Sequence, residues 1–418
     1  MRPALVFTAF YCSLVLSISD LYAAQLDTNR IAALTGLNGT WIATEGVFKV
    51  SYPRNDVSVK VDNWKMPAFM GLSSWAAFHS GRKTEAMVMG DLVLFEDEVN
   101  PVMSAALANG LAVTALHNHF FQAEPPVYFM HIGGEGTIDS LANGVNAALS
   151  KMKDIRRTNP FPGKSVGSAI PERNAISATP LAEAFTATPQ VKDGMVKFVF
   201  GRVARMDCGC VVGKEMGLNT WACFGGTDEN AVVGGDFACQ ENELQPVIKS
   251  LRDSGINIVA IHHHMIHETP RYLFLHFWGR GTATNLAKAI RIARGEQTKA
   301  AAVQARSEGG FKEINVADFE KRRVKGKAPV IDVRSAEEFA KGHVTGAVNL
   351  NIHSPDFSAK AAQFDKRKPI LVNCHVGSRG AIAAAELARL GFKSIFNLEG
   401  GVAAWEKAGY HPETLRNP

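Results

Sequence analysis

Histidines are concentrated in one short stretch of the chain, AIHHHMIHETPRYLFLHFWGRG at residues 260–281, which holds five of the 13. His262 and His264 are separated by one residue, so on a β-strand their side chains share a face. A second strand that returns antiparallel would place His276 opposite them. Three imidazoles on one face of a hairpin can ligate a transition metal, and the sequence therefore predicts a site for zinc, copper or iron.

An internal repeat reproduces this pattern. His117, His119 and His131 precede His262, His264 and His276 by 145 positions each, and MGLSSWAAF at Met70 returns as MGLNTWACF at Met216. Repetition over more than a hundred residues indicates a duplicated unit. A histidine on a half-buried strand is often only hydrogen-bonded, so a structural role stays open beside metal binding. The candidate ligands are His117, His119, His131, His262, His264 and His276.

The elements around these histidines predict the fold of the duplicated unit. Each copy reads as strand, helix, strand, strand, helix, with the first helix of each ending at glycine. This order predicts an α+β domain. Two acidic pairs are duplicated as well, Asp91 with Asp236 and Glu98 with Glu243. They are candidate further ligands or acceptors that orient the imidazoles, although an aspartate after glycine can also simply shape a turn.

The repeated segment MGDLVLFEDEVNPVMSAALANGLAVTALHNHF and its second copy resemble the LppY/LpqO-type family of exported bacterial proteins, which has no assigned activity. The resemblance covers nearly all of residues 27–296. It implies export and a duplicated architecture. It supplies no function, so the metal hypothesis depends on the spacing of the histidines.

A single cysteine carries the second candidate chemistry. Cys374 ends an apolar run, KPILVN, and an alanine-rich helical segment follows it after a short loop. Backbone N–H groups at a helix N-terminus favour negative charge, so a thiolate at Cys374 would be a nucleophile and its persulfide would be stabilised there. Strands and helices alternate over the surrounding hundred residues, which predicts an α/β domain with a parallel sheet.

This C-terminal segment resembles the rhodanese family in IDVR, GHVTGAVNL, the loop CHVGSR and EGGVAAW. The resemblance covers about residues 312–413. It implies that Cys374 is the nucleophile, that Arg379 helps to bind an anionic sulfur donor, and that Asp332 and Arg334 brace the loop. No cofactor is required for this activity. The loop residues expected to surround the substrate are His375, Val376, Gly377, Ser378 and Gly380.

The length of the loop separates two reaction classes on this fold. Related phosphatases use C-x5-R, whereas Cys374 and Arg379 form the tighter C-x4-R of sulfurtransferases. Arg379 is the one permanently charged residue of the loop. This sparse charge puts thiosulfate in doubt as the natural donor.

Composition and the N-terminal segment limit the partners. The chain has 418 residues, 46% apolar residues and a net charge of +5, typical of a soluble protein with two or three domains. No basic stripe is interleaved with aromatic residues, which argues against nucleic acid. The opening MRPALVFTAFYCSLVLSISDLYAA predicts a secretory signal peptide, with an uncleaved anchor as the alternative. We therefore expect a periplasmic or secreted protein without other membrane association.

Four cysteines cluster within about thirty residues: Cys208, Cys210, Cys223 and Cys239. In an oxidising compartment this cluster favours disulfides over a thiolate metal site, since the spacing fits no zinc motif. The pairing cannot be read from the sequence. The predicted organisation is a signal peptide (1–23), a first repeat (24–155), a linker (156–173), a second repeat (174–298), a linker (299–311) and a rhodanese-like domain (312–418).

Two functions follow for the whole chain. The first is an exported sulfurtransferase that passes sulfane sulfur from a small donor to a thiol acceptor, with metal bound by the duplicated domain. The second is a periplasmic protein that binds a metal or small ligand, in which the C-terminal domain is a persulfide carrier or interaction module. Independent modules tolerate separation, so a protease-sensitive boundary near residue 305 would favour the second. The sequence does not predict an oligomeric state.

Overall fold

The computed structural model describes residues 26–163, 169–326, 328–354 and 356–414. The predicted signal peptide at residues 1–23 lies outside these ranges. Within them, no helix combines the length and apolar character that crossing a bilayer requires.

The first copy of the repeat contains three helices and nine strands among the described residues. Its helices are α1 (Thr28–Thr35), α2 (Glu96–Ala108) and α3 (Ile138–Thr158). Its strands are β1 (Gly39–Ile42), β2 (Val47–Pro53), β3 (Lys60–Val61), β4 (Trp64–Lys65), β5 (Ser73–Ser80), β6 (Ala86–Phe95), β7 (Ala112–His117), β8 (Ala123–Glu124) and β9 (Val127–Gly136).

The second copy repeats this order. Its helices are α4 (Ala178–Phe185), α5 (Glu241–Asp253) and α6 (Ala283–Glu308). Its strands are β10 (Gln190–Lys192), β11 (Met195–Gly201), β12 (Ala204–Met206), β13 (Val211–Val212), β14 (Asn219–Gly226), β15 (Ala231–Cys239), β16 (Asn257–His262), β17 (Glu268–Thr269) and β18 (Leu273–Gly281). The strands that precede β6 and β15 were not part of the sequence prediction.

The two copies share one antiparallel sheet. Twelve strands of the described residues run in the order β1-β2-β5-β6-β9-β7-β16-β18-β15-β14-β11-β10. The copies meet at β7 and β16, where Leu116 pairs with Ile261. Equivalent strands of the two copies follow in the same order from each edge of the sheet to this junction. The sheet therefore has an approximate two-fold axis there.

The two faces of the sheet have different coverings. Apolar side chains of one face, such as Val88, Leu92 and Met130, pack with the helices into the main core. Side chains alternate between faces along a strand, so Asp91 and His131 point to the opposite face. Two smaller apolar clusters lie on that face. The short strands β3, β4, β8, β12, β13 and β17 form two further three-stranded sheets.

The C-terminal region is a separate α/β domain. Its strands are β19 (Lys312–Ile314), β20 (Val330–Asp332), β21 (Ala347–Asn349), β22 (Ile370–Asn373) and β23 (Ile395–Leu398), paired in parallel in the order β19-β23-β22-β20-β21. Its helices are α7 (Val316–Glu320), α8 (Ala336–Lys341), α9 (Phe357–Ala361), α10 (Ser378–Arg389) and α11 (Gly401–Lys407). The predicted parallel sheet is confirmed.

The segment predicted as a linker at residues 299–311 is mostly helical. Helix α6 continues through it to Glu308 and packs along α10. Gly295 weakens a helix interior by roughly 1 kcal/mol relative to alanine. The alanine-rich turns that follow are good helix formers, and burial of Ala302 and Ala305 stabilises them further. Similarly, α3 extends into the linker predicted at residues 156–173 and ends at Thr158.

The structure contradicts the prediction of disulfides. Among the described residues, all five cysteines are unpaired thiols. Cys239 is buried in the main core, Cys223 is partly buried on β14, and Cys208 and Cys210 are exposed in the turn between β12 and β13. The cluster in sequence is therefore spread over separate places in the fold.

Candidate functional site

Cys374 lies where β22 ends, four residues before the start of α10. Its side chain is almost completely buried, and the backbone N–H of Gly377 donates a hydrogen bond to Sγ over 3.1 Å. Gly377 has a φ of 91°, which places that N–H on the sulfur side of the turn at no steric cost. The N-terminus of α10 thus faces the sulfur, as a nucleophilic thiolate requires.

The Cys374 loop is hydrogen-bonded to the first turn of α11. Val402 N–H donates to the carbonyl of Cys374 at 2.8 Å, and Ala403 N–H donates to the carbonyl of His375 at 3.0 Å. A Cβ on Gly401 would lie 2.3 Å from the oxygen of Cys374, so this close approach requires glycine. His375 and Val376 remain exposed at the mouth of the loop.

Asp332 and Arg334 support the strand that carries Cys374. Both are buried, and the Asp332 carboxylate accepts hydrogen bonds from the Arg334 guanidinium at 2.7 to 3.1 Å. The same carboxylate accepts from the side-chain amide of Asn373 at 3.0 Å. Since Asn373 directly precedes Cys374, this network reaches the base of the loop. Neither residue contacts Sγ.

Arg379 forms a bidentate ion pair with Glu338 on α8. Its two terminal nitrogens donate to the two carboxylate oxygens, both at 2.6 Å. Burial opposes ionisation of Glu338, but the hydrogen bonds from Arg379 outweigh it and lower the pKa of the carboxyl to about 2. The charge of Arg379 is therefore offset by Glu338, and its predicted role in binding the donor remains a prediction.

The second set of histidines forms a compact group. Ligand nitrogens of His262, His264 and His276 all lie within 4.8 Å of one another. The ring of His264 is stacked on Phe274, with centroids 3.5 Å apart, which fixes its orientation. Burial, and then the neighbouring His262, lower the pKa of His264. A neutral imidazole is the form that binds a metal.

A buried carboxylate completes this group. Asp236 on β15 pairs directly with His276 on β18, and its carboxylate lies 3.5 Å from Nε2 of His264. Its Oδ1 has no hydrogen-bond partner, and burial raises the pKa of the carboxyl although His276 and His262 oppose the shift. An unsatisfied, buried carboxylate oxygen beside three imidazoles is the setting in which a cation would be stabilised.

The first set is arranged differently. His117 and His131 are hydrogen-bonded to each other, Nε2 to Nε2, over 3.0 Å. Asp91 holds the place of Asp236, since it pairs with His131 and also has an unsatisfied Oδ1. His119 is stacked on Phe129 with centroids 3.4 Å apart. Each histidine set is thus built within its own copy, and the structure brings the second set together around a shared space.

Glu98 and Glu243 are not part of either group. Glu98 is completely buried and pairs with Arg54 at 2.8 Å, and Glu243 pairs with Arg202 at 2.7 Å. The hypothesis that these carboxylates are metal ligands or histidine acceptors is therefore wrong. They stabilise the junction between the sheet and helices α2 and α5. Their duplication reflects a repeated structural ion pair.

Sequence reasoning missed a lysine–tryptophan pair beside each histidine group. Lys197 lies over the ring of Trp221, 4.6 Å from its centroid, and Trp221 pairs with Asp236 across the strands. Lys49 and Trp75 repeat the arrangement next to Asp91. The two tryptophans stand at the same place in the repeated MGLSSWAAF and MGLNTWACF segments, which was the available signal.

A cavity of about 340 Å³ opens beside the second group. Its lining includes Asp236 and His264, together with Lys197, Trp221, Lys214 and Glu215. Because Lys214 pairs with Glu215 at 3.4 Å and Asp236 adds a second carboxylate, the charges of the lining favour neither sign of ligand.

Comparison with protein families divides the chain as its structure does. The model described as Domain of Unknown Function (DUF1259) matches residues 29–151 and 179–295, one match for each copy. The model described as Rhodanese-like domain matches residues 315–408. The duplication and the C-terminal domain are confirmed, and the LppY/LpqO resemblance remains a prediction.

Curated relatives match the C-terminal domain. A thiosulfate sulfurtransferase GlpE from Pseudomonas putida (strain GB-1) is 38% identical over 106 residues, which are 25% of this chain and 94% of that protein. The mitochondrial protein HIGH ARSENIC CONTENT 1 of Arabidopsis thaliana is 36% identical over 100 residues, with 21% of this chain and 59% of that protein covered. The C-terminal domain is therefore a rhodanese-like sulfurtransferase.

Solved structures match the same region. The polysulfide-sulfur transferase homodimer of Wolinella succinogenes is 25% identical, with a TM-score of 0.25 and 28% of this chain and 88% of that chain covered. A rhodanese-related protein from Thermoplasma volcanium is 28% identical, with a TM-score of 0.23 and 25% and 100% covered.

Proposed function

We propose that this chain, which belongs to the family described as Domain of Unknown Function (DUF1259), is an exported sulfurtransferase whose duplicated domain holds a transition-metal ion. The observation that carries the sulfur chemistry is the position of Cys374, buried at the N-terminus of α10 with a backbone N–H on its sulfur. Export is supported by the signal-peptide pattern of residues 1–23.

The sulfur-transfer cycle has two displacement steps. The thiolate of Cys374 attacks the outer sulfur of thiosulfate, a Cys374–sulfur bond forms, and sulfite leaves with the electron pair of the broken sulfur–sulfur bond. An acceptor thiolate then attacks the terminal sulfur of the persulfide and releases the Cys374 thiolate. The relatives named thiosulfate sulfurtransferase support thiosulfate as the donor.

The metal is proposed at the second histidine group. Three imidazole nitrogens and one carboxylate oxygen are a donor set that suits zinc or iron, and copper also accepts imidazoles. The support is the compactness of His262, His264 and His276, together with the unsatisfied Oδ1 of Asp236. Such an ion would act as a Lewis acid toward a small ligand in the adjoining cavity.

The reading of the chain as two independent modules receives less support. Helix α6 passes through the boundary near residue 305 without interruption, and Ala302 and Ala305 are buried on it. Few protease-sensitive sites are expected in such a segment.

Elemental analysis of the untagged full chain, purified from the periplasm, tests the metal. We expect near-stoichiometric metal in the wild type and in His263→Asn, which restores the residue found at this place in the first copy. We expect metal to be lost in His264→Ala. A folded, metal-free wild type would refute the metal and would leave sulfur transfer at Cys374 unaffected.

A further inference from the structure

The duplicated domain and the sulfurtransferase domain are packed together along two helices. Near one end of this contact, Glu308 at the end of α6 forms an ion pair with Arg389 at the end of α10, and Gly310 approaches Ala388. Since the C-terminal ends of the helices adjoin, an earlier turn of α6 lies beside the start of α10. Arg294 occupies such a turn, and Arg379 lies in the first turn of α10.

Positive charges from both domains meet at this place. Arg202 and Arg294 come from the second copy, and Arg379 comes from the sulfurtransferase domain. The charges of all three disfavour protonation of the partly buried His353 and so lower its pKa. Burial, and then Arg202, lower the pKa of His353 to about 3, so its imidazole is neutral. The backbone of His353 also lies close to Gly201, at the end of β11.

Among the described residues, only two of these three guanidiniums have a carboxylate partner. Arg202 is paired with Glu243 at 2.7 Å, and Arg379 with Glu338 at 2.6 Å. Within the part of the chain that the structure describes, the Arg294 side chain has no hydrogen bond or ion pair. Its guanidinium instead lies over the ring of Phe200, 3.3 Å from the centroid.

Among the described residues, Arg294 therefore has no direct carboxylate partner, although the charge of Glu338 acts on it from a distance. Burial, and then repulsion from Arg379, lower the pKa of its guanidinium to about 9, so it still carries its charge at neutral pH. A partly desolvated guanidinium without a partner is stabilised by a bound oxyanion, which it can bind with two parallel N–H groups.

The neighbouring active-site loop lacks such a group. Between Cys374 and Gly380 the one permanent cation is Arg379, and Glu338 occupies both of its terminal nitrogens. An anionic donor would approach a thiolate with little positive charge of the domain's own to offset the repulsion. Arg294 lies in the other domain, and its charge is close enough to that of Arg379 for the two guanidiniums to repel each other.

We propose that Arg294 of the duplicated domain binds the sulfonate group of an anionic sulfur donor at the Cys374 loop and so determines donor specificity. The proposal depends on sulfur transfer at Cys374. When the thiolate attacks the outer sulfur of thiosulfate, the sulfur–sulfur bond breaks and sulfite takes its electron pair. Arg294 stabilises the charge on the sulfonate oxygens during this step.

Steady-state kinetics of the full chain with thiosulfate and cyanide test the proposal. In Arg294→Met, which keeps an apolar stem over Phe200, we expect the KM for thiosulfate to rise about ten- to hundredfold, the effect of losing a charge-assisted contact. Inhibition by added sulfite should weaken in parallel. Arg291→Met is the matched control, because Arg291 is an exposed arginine on the same helix.

Arg294→Lys keeps the charge without the planar pair of donors, and we expect an intermediate KM. A KM and a sulfite inhibition that match Arg291→Met in both variants would overturn the proposal. If Arg294→Met fails to fold, the lysine variant decides alone, and a wild-type KM in it counts against the proposal. Persulfide formation in the wild type is measured separately, so a failure of sulfur transfer itself is distinguished.

Discussion

The ion pair between Glu338 and Arg379 yields a quantitative prediction. Its carboxylate is only 18% exposed, and its pKa is lowered from 4.5 to about 2. A shift of this size corresponds to about 3 kcal/mol of folding free energy at neutral pH. Glu338→Gln removes the charge and leaves the Arg379 guanidinium without its partner. We expect the variant to lose about 3 kcal/mol, by analogy with other buried pairs that are broken from one side.

The pH dependence has a definite sign. The folded state depresses the pKa of Glu338, so the stabilisation is complete above the unfolded value of about 4.5 and is lost as the pH falls toward about 2. The difference in stability between the wild type and Glu338→Gln should therefore be constant from pH 7 to pH 5. It should shrink as the pH is lowered below that range.

Urea unfolding at several pH values measures this difference. Loss of sulfurtransferase activity reports the C-terminal domain, and circular dichroism reports the whole chain. Glu337→Gln is the control, because Glu337 is an exposed glutamate on the same helix. If Glu338→Gln were as stable as Glu337→Gln at pH 7, or if the difference persisted unchanged at pH 3, the assignment of the stabilisation to this ion pair would be refuted.

Four further predictions concern the rest of the chain. Asp236→Asn should weaken metal binding about ten- to hundredfold, measured by competition with a chromogenic chelator, and unchanged affinity would remove Asp236 from the site. In the folded protein, iodoacetamide should modify the exposed Cys208 at once and the buried Cys239 only after unfolding, and mass mapping of a disulfide would contradict the free thiols. Gly380→Ala should cost about 1–3 kcal/mol, because its Cβ would lie 2.1 Å from an asparagine oxygen on β23. Gly295→Ala has open space around its Cβ in a helix interior and should raise the melting temperature instead.

Local sequence patterns predicted the position of Cys374 in the fold, between a strand and a helix. A buried strand, a cysteine and a helical segment in succession have few ways to fold, and the structure places Cys374 at the start of α10. The histidine sets were predicted from their period of two on a strand and from their duplication. The position of Asp236 beside the second set depends on strand pairing, which the sequence shows only as a constant spacing of 145 residues between equivalent positions of the two copies.

Other features depend on tertiary contacts that leave no local signal. The continuation of α6 past Gly295 is stabilised by packing on α10, and the sequence alone resembled a linker. The structural role of Glu98 depends on Arg54, which lies 44 residues earlier in the chain and gives no local signal. The proximity of the Arg294 and Arg379 charges joins two domains and cannot be read from either motif.

The most direct test of the account is the mass of the intact chain after incubation with thiosulfate. We expect the wild type to gain one sulfur atom, to lose it again to an added thiol, and to carry it on Cys374 when the chain is fragmented. Cys374→Ser should gain none. An equal gain of sulfur in Cys374→Ser, located at Cys208 or Cys210, would contradict the account.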